Sequence, residues 1–147
     1  MGGTSTDVAR ADGRADLRDT TMVGEAVVRI PSVDLHTVAA GGGSICRVFE
    51  GRLEVGPDSA GADPGPACYG AGGPLTITDV NLLLGRADPS TFGVPIDPEA
   101  ARRALDATSA ESGRSAESLL RGFVDLANER MAEAIRTITT RRGVDPA

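Results

Sequence analysis

The N-terminal residues of this chain combine two glycines with three hydroxyl side chains and a carboxylate, in the order Gly2-Gly3-Thr4-Ser5-Thr6-Asp7. Glycine lets a backbone approach an anion closely and turn its N–H groups toward it, and hydroxyls add further donors. A carboxylate beside such a loop can hold Mg²⁺ through water. The string therefore predicts a phosphate-binding loop with Asp7 as the metal ligand, although the same composition also fits a plain turn.

A carboxylate and an imidazole alternate in the segment Asp34-Leu35-His36-Thr37. In a strand, Asp34 and His36 would point to one face, because successive side chains of a strand alternate between its two faces. Such a pair can act as a base and its orienting partner, or bind a metal, whereas a lone His is more often structural. We therefore treat Asp34 and His36 as candidate catalytic residues.

Three consecutive glycines, Gly41, Gly42 and Gly43, follow this segment. Glycines have little packing use in a strand, so the run predicts a close approach of the backbone to a ligand or to another strand. We include all three as candidate cofactor-binding residues.

Two possible nucleophiles are weaker candidates. Ser59 lies in Gly56–Gly61, which reads G-x-x-S-x-G and is one residue too long for a nucleophile elbow. Cys68 would need a neighbouring cation or a helix terminus to lower its pKa, and a small buried residue is the favoured interpretation.

Composition excludes several mechanisms. All 15 basic residues are Arg, so a Walker-A lysine, a Schiff base and a Ser-Lys dyad are impossible, and a single His excludes two-His zinc motifs. A net charge of −6 argues against non-specific nucleic-acid binding. No apolar run approaches the roughly 18 residues of a membrane helix, and the N-terminus does not resemble a signal peptide. These features predict a cytoplasmic protein with no nucleic-acid or membrane partner.

Turn formers and β-branched residues divide the first part of the chain into short elements. We expect strands over 26–30, 34–38, 45–49 and 53–55, with Glu50 and Gly51 in a tight hairpin turn. The Gly- and Pro-rich stretch 56–73 predicts a loop packed on a scaffold in preference to a disordered linker. A short helix is expected over Asp79–Leu84, capped by Thr78 or Asp79.

Helical patterns dominate the second part. Asp97-Pro98-Glu99 is typical of a helix start, and this helix is expected to continue to about Ala107. An apolar stripe predicts a final helix from Ser115 to Arg142, ended by Gly143. Its predicted members are Leu120, Phe123, Val124, Ala127, Met131, Ala134, Ile135 and Ile138. The chain thus reads as α+β or α/β, with a β- and loop-rich part over 1–95 and a helical part over 96–147.

Five strings occur in one order along the chain: MGGTSTDV, VDLHTVAAGGGSI, GPDSAGADPGPACYG-x-GG, T-x-TDVNLLLGR and NERMAEAIRTITTRRGVDP. In this order they resemble the central part of the hydantoinase A / 5-oxoprolinase family. The resemblance implies a fragment of an actin-like (sugar kinase/actin type) ATPase domain, in which two phosphate loops close over a nucleotide. Gly2 to Asp7 is similar to the second of these loops.

The activity that the resemblance implies is ATP-driven opening of a cyclic amide such as 5-oxoproline or hydantoin, with ATP and Mg²⁺ as cofactors. Asp34 and His36 would handle the substrate or a metal. A hydantoinase B-type subunit or a homo-oligomer is the expected partner. The same motifs allow the ATP-binding subunit of an acetone-type carboxylase, and the chain alone could be an inactive fragment.

The chain departs from the family pattern at several points. The Asp that usually precedes Met-Gly-Gly-Thr is absent, as are the first phosphate loop and the glycine-rich adenosine segment expected after 143–146. The resemblance therefore implies a segment cut from a longer protein. Ala39-Ala40 replaces the commoner Gly-Ala, Ala71 replaces an Arg, and the stretch 92–96 is shorter than usual.

Overall fold

Short antiparallel strands fill the first 59 residues of the computed structural model, which describes residues 1–145, and helices follow. The strands are β1 (Thr6–Ala9), β2 (Ala11–Asp12), β3 (Arg14–Ala15), β4 (Leu17–Arg18), β5 (Thr21–Val23), β6 (Ala26–Val28), β7 (Ser32–Val33), β8 (Leu35–Val38), β9 (Ser44–Phe49) and β10 (Arg52–Ser59). The helices are α1 (Ile77–Leu83), α2 (Pro98–Ser112) and α3 (Ala116–Ile138). The predicted mixture of strands and helices is confirmed.

Each described strand pairs with one other strand. β1 pairs with β8, β2 with β3, β4 with β7, β5 with β6, and β9 with β10, all antiparallel. The three strand pairs that lie between β1 and β8 along the chain, β2–β3, β4–β7 and β5–β6, form an arm that exposes large apolar side chains. Those most exposed are Leu17, Met22, Val23, Val27 and Ile30. Of this arm the sequence predicted only the strand at 26–30, which ends at Val28.

The β9–β10 hairpin has the predicted turn. Phe49 pairs with Arg52, so that Glu50 and Gly51 form a two-residue loop with φ of 48° and 75°. Positive φ at both central positions is what the right-handed twist of the flanking strands requires. The strand expected over 53–55 is longer than predicted, because pairing resumes between Ser59 and Ser44 after a register shift.

Helix α1 begins earlier than the sequence predicted. Its N-cap is Thr76, and Asp79 is the third helical residue of a capping box, in which the Asp79 carboxylate accepts from the N-cap backbone. The sequence predicted Thr78 or Asp79 as the cap, and both predictions were wrong. The carboxylate also accepts hydrogen bonds from the N–H groups of Ala67 and Cys68, which belong to the loop before the helix.

Helices α2 and α3 differ from their predicted bounds mainly at their C-terminal ends. The N-caps are Asp97 and Ser115, as predicted. However, α2 continues to Ser112, where Gly113 ends it in the left-handed conformation. Helix α3 ends at Ile138, and a separate 3₁₀ turn occupies Thr140–Arg142 before Gly143.

The main core lies where α3 crosses the β9–β10 hairpin and α1. Fully buried Phe123 and Leu119 of α3 belong to one cluster with Val55 of β10 and Val80 of α1. The predicted stripe of α3 is largely buried, but Ile135 is 42% exposed.

The Gly- and Pro-rich stretch 56–73 is packed, as expected. Asp79 of α1 is fully buried and accepts hydrogen bonds from the backbone N–H groups of Ala67 (3.1 Å) and Cys68 (2.7 Å). The same carboxylate accepts from the N–H and the hydroxyl of Thr76, each at 2.8 Å. One buried carboxylate thus fastens the loop to the helix start.

Within residues 1–145, no helix is both long enough and apolar enough to cross a membrane. The adenosine segment was expected to follow residues 143–146. Pro146, the last of these, lies outside the described residues.

Candidate functional site

The N-terminal loop lies directly on the glycine run. The N–H of Gly42 donates to the carbonyl of Gly2 at 3.0 Å, and the N–H of Gly43 donates to the carbonyl of Gly3 at 2.5 Å. A β-carbon on Gly41 would stand 2.6 Å from the carbonyl carbon of Thr4. The close approach expected for these glycines is therefore an approach to another segment of the chain.

This packing occupies the amides of the glycine run. Besides the two bonds to the N-terminal loop, the N–H of Gly41 donates to the Ser44 hydroxyl at 2.9 Å. None of the three N–H groups of Gly41, Gly42 and Gly43 therefore points freely toward a phosphate. Their contact with a cofactor stays a prediction, and the structure shows them as the support on which residues 2–4 rest.

The amides of Gly3, Thr4 and Ser5 have no such occupation. Among residues 1–145 they donate to no protein acceptor, and Gly3 and Thr4 are exposed. The carbonyl of Ser5 accepts from the N–H of Gly2 at 2.7 Å, which bends the segment into a tight turn. Three consecutive N–H groups in a turn form the kind of concavity that binds anions.

The hydroxyls of the loop differ in accessibility. Thr6 is buried and donates to the carbonyl of Ala40 at 2.5 Å, so its hydroxyl secures β1 to the glycine run. Thr4 is exposed, and its hydroxyl accepts from Ser59 at 3.5 Å. Thr4 and Ser5 therefore remain the hydroxyl donors that an anion could reach.

Asp7 follows the loop on β1 and is exposed. It accepts a hydrogen bond from the Thr37 hydroxyl of β8 at 2.6 Å. In the described part of the chain no group of three or more His, Cys, Asp and Glu residues could hold a metal ion. A single carboxylate is still a usual protein share for Mg²⁺, which keeps several waters and takes phosphate oxygens as ligands.

Asp34 and His36 share one face, but they do not act on each other. Asp34, His36 and Val38 are half-buried while Leu35 and Thr37 are exposed. The Asp34 carboxylate is 2.6 Å from Arg142 and 3.9 Å from Arg18. No hydrogen bond joins it to His36 among the described residues.

The ion pair changes what Asp34 can do. The hydrogen bond from Arg142 lowers the pKa of Asp34 below its ordinary value, against the opposing effect of burial. A carboxylate held ionised by a cation is a weak proton acceptor. Asp34 is therefore better suited to hold the turn after α3 than to act as a base.

His36 lines an open groove of about 510 Å³ between β8 and α3. Arg130 of α3 lies in the same groove and was not among the candidate residues predicted from the sequence. One signal was available: the residues four positions away on either side, Leu126 and Ala134, are apolar, so Arg130 has no ion-pair partner at that helical spacing.

The two cysteines are buried small residues, as favoured for Cys68. Burial and then the Asp79 charge raise the pKa of the Cys46 thiol well above its ordinary value. Burial, followed by a hydrogen bond with Asp79, raises the pKa of Cys68 to about 12. Neither thiol has the lowered pKa of a nucleophile.

Comparison with known proteins gives a consistent result. The Hydantoinase/oxoprolinase family model matches residues 1–147. The chain is 45% identical to 5-oxoprolinase PfmaA of Pestalotiopsis fici, covering 99% of this chain, and 44% identical to 5-oxoprolinase of Saccharomyces cerevisiae, covering 97%. It is 40% identical to caprolactamase subunit alpha of Pseudomonas jessenii, covering 99% of this chain and 22% of that protein.

A solved structure matches the whole chain as well. The nucleotide-free structure of acetone carboxylase superposes with a TM-score of 0.84 at 29% identity, covering 100% of this chain and 22% of that one. The chain spans 12% of the length of the two 5-oxoprolinases. On the match of the family model over its full length, this chain belongs to the hydantoinase/oxoprolinase family.

Proposed function

We propose that this chain forms the phosphate-loop region of an ATP-dependent hydrolase that acts on cyclic amides. The observation that carries the proposal is the row of three unoccupied amides at Gly3, Thr4 and Ser5, followed by the exposed carboxylate of Asp7. The names of the relatives, two of them 5-oxoprolinases, supply the substrate class. The likeness to acetone carboxylase supports the actin-like fold that the motifs imply.

The residues of this loop suit phosphoryl transfer without lysine. The γ-phosphoryl group of ATP would transfer to the amide oxygen, with ADP as the leaving group, and this makes the ring carbon a better electrophile. Water would then add to that carbon, the ring C–N bond would break, and inorganic phosphate would leave. The N–H groups of residues 3–5 and the Thr4 hydroxyl would hold phosphate oxygens, and Asp7 would place Mg²⁺. Charge stabilisation by preorganised donors is the main protein contribution to this chemistry.

For substrate handling we propose His36 and not the Asp34–His36 pair. His36 lines a groove large enough for a small molecule, whereas the Asp34 carboxylate is engaged by Arg142. Asp34 is then a positioning residue that fixes the turn after α3 relative to β8. A second subunit, as the name caprolactamase subunit alpha suggests for that relative, would complete the enzyme.

A second function is favoured by one observation. The structural match is to acetone carboxylase, an enzyme of ATP-dependent acetone carboxylation. The same phosphate loop would then serve a ketone carboxylase. The two reactions differ in their substrates, since a carboxylase requires bicarbonate and a ketone while an amide hydrolase requires neither.

A phosphate-release assay distinguishes the two functions. We expect the enzyme that contains this segment to release phosphate from ATP with 5-oxoproline or hydantoin in the absence of bicarbonate. A strict requirement for bicarbonate and a ketone would contradict the hydrolase and select the carboxylase. The 147-residue chain alone is expected to show no 5-oxoproline-stimulated phosphate release.

The metal assignment is tested by a matched pair of variants. Asp7→Asn is expected to raise the Mg²⁺ concentration needed for half-maximal phosphate release. Asp12→Asn, which changes a carboxylate that is 90% exposed in the arm, is the control and should leave that concentration unchanged. An equal effect of both changes would contradict a specific role for Asp7.

A further inference from the structure

The groove between β8 and α3 contains an uncommon combination of side chains. His36 and Val38 come from β8, and Leu126, Arg130, Ala134 and Thr137 come from α3. Apolar side chains thus lie beside an imidazole and a guanidinium. A small ligand with an apolar ring and a polar end would match this lining.

The acidic side chains of the groove form ion pairs with arginines that do not line it. Glu129 and Glu133 also line it, but Arg136 contacts both carboxylates, at 2.6 Å and 3.5 Å. Arg141 also contacts Glu133. The pKa of Glu129 is lowered, chiefly by its hydrogen bond from Arg136. The two acidic side chains are therefore neutralised from outside the groove.

Arg130 is the cation that remains. Among the described residues its guanidinium forms no ion pair or hydrogen bond, although the residue is half-buried. Its Nη1 lies 3.6 Å from where a β-carbon on Gly56 would stand, and the carbonyl of Ala39 is 3.2 Å from the same point. The guanidinium thus lies beside Gly56 of β10, at the side of that residue that also faces the Ala39 carbonyl.

The geometry points to Arg130 as the residue that binds a carboxylate of the substrate, with His36 in the same groove. This inference rests on the proposed function and narrows its substrate class to cyclic amides that carry a carboxylate, such as 5-oxoproline. A guanidinium pairs with a carboxylate through two parallel hydrogen bonds, which orients the ligand as well as holding it. Val38, Leu126 and Ala134 would cover the ring.

The place of the groove fits this assignment. β8, which contains His36, ends at Val38, and two alanines connect it to Gly41, against which residues 3 and 4 of the phosphate loop rest. A ligand anchored at Arg130 would therefore lie against the strand that supports the phosphate loop.

The test is a direct binding measurement by calorimetry, without ATP, on the purified protein. The ligands are 5-oxoproline and 2-pyrrolidinone, which has the same ring but no carboxylate. Arg130→Gln is expected to weaken 5-oxoproline binding at least about tenfold and to leave 2-pyrrolidinone binding unchanged. Arg121→Gln, on an exposed arginine of the same helix outside the groove, is the matched control and should change neither.

A second measurement does not depend on any variant. The unaltered protein should bind 5-oxoproline at least about tenfold more tightly than its methyl ester. Equal binding of acid and ester would overturn the assignment. An equal loss of affinity for 5-oxoproline and 2-pyrrolidinone in Arg130→Gln would overturn it as well. If the carboxylate preference is observed but no cyclic amide stimulates phosphate release, the site stands and the proposed function fails.

In the active enzyme the same substitution gives a separate readout. Arg130→Gln should raise the KM for 5-oxoproline and leave the KM for the uncharged substrate hydantoin unchanged. A fall in kcat for both substrates with unchanged KM would contradict a carboxylate-binding role.

Discussion

At the scale of single residues, Asp79 influences more of the structure than any candidate catalytic group. It is fully buried, yet four donors satisfy it, and both cysteine thiols are affected by its charge. A buried carboxylate is tolerated only when it is paired or fully hydrogen-bonded. Its role in this chain is to join the loop 56–73 to the start of α1.

Replacing this carboxylate should therefore be costly. Asp79→Ala leaves the amides of Ala67, Cys68 and Thr76 buried without an acceptor, and we expect a loss of about 3 kcal/mol or more in the free energy of unfolding. Urea denaturation measures the loss. Asp106→Ala, an exposed site on α2, should stay within about 0.5 kcal/mol. Similar values for the two variants would refute this account of the loop.

The two thiols should be unreactive in the folded protein. Burial raises the pKa of both thiols well above its ordinary value, so almost none of either is ionised at pH 8. Titration with a chromogenic disulfide at pH 8 should detect almost no thiol without denaturant and two in urea. Fast labelling without denaturant would show that one thiol is accessible.

At the scale of elements, the glycine run and the N-terminal loop form one unit joined through backbone atoms. Gly42 also accepts from the N–H of Thr78 in α1 at 2.8 Å, so the unit is tied to the main core. The N-terminal loop, which we propose to bind phosphate, is thus linked to the core by hydrogen bonds from α1 to Gly42 and from Gly42 to Gly2.

Gly41→Ala tests this unit. The added methyl group would stand within 2.7 Å of backbone atoms of Gly3 and Thr4. Backbone atoms cannot move aside as the end of a flexible side chain could, so the clash would persist. We expect weaker nucleotide binding together with a loss of stability of about 1–3 kcal/mol, measured by nucleotide titration and urea denaturation. Gly93→Ala is the control, because a β-carbon there meets nothing within 4 Å. Normal nucleotide binding in Gly41→Ala would contradict the contact.

At the scale of the whole molecule, one ion pair joins distant parts of the chain. Arg142, in the turn after α3, donates to Asp34 before β8, 108 positions away. Both groups are partly exposed to solvent, so the pair is screened by salt and worth little alone. Its value lies in fixing where the chain leaves α3.

This pair contributes a small part of the dependence of stability on acid. Because the pKa of folded Asp34 is lowered from 3.8, the ionised carboxylate favours the folded state above that pH, and the contribution is lost as the pH falls through the lowered pKa. Asp88, Asp97 and Glu129 shift in the same direction. We expect Tm to fall below about pH 4, and to fall less steeply in Asp34→Asn. An identical pH profile for that variant would contradict the ion pair.

Local signals in the sequence predicted much of the fold. The helix caps Asp97 and Ser115 and the turn at Glu50-Gly51 lie where they were predicted, because each depends on residues next to it in the chain. The predicted helix ends were less accurate. Helix α1 starts at Ile77 and not at Asp79, whose carboxylate binds the loop 56–73 as well as its own helix start. The short strands of the arm gave almost no periodic signal, because pairs of two or three residues are too short to show one.

The candidate site shows the same division. Residue types and nearest-neighbour spacing were enough to predict the family, the glycine- and hydroxyl-rich string at the N-terminus and the alternation of Asp34 with His36. The folded chain was needed to show which amides are unoccupied, that Asp34 is held by Arg142, and that Arg130 shares a groove with His36. Those facts depend on contacts between residues up to about a hundred positions apart, and such contacts leave no mark on local spacing.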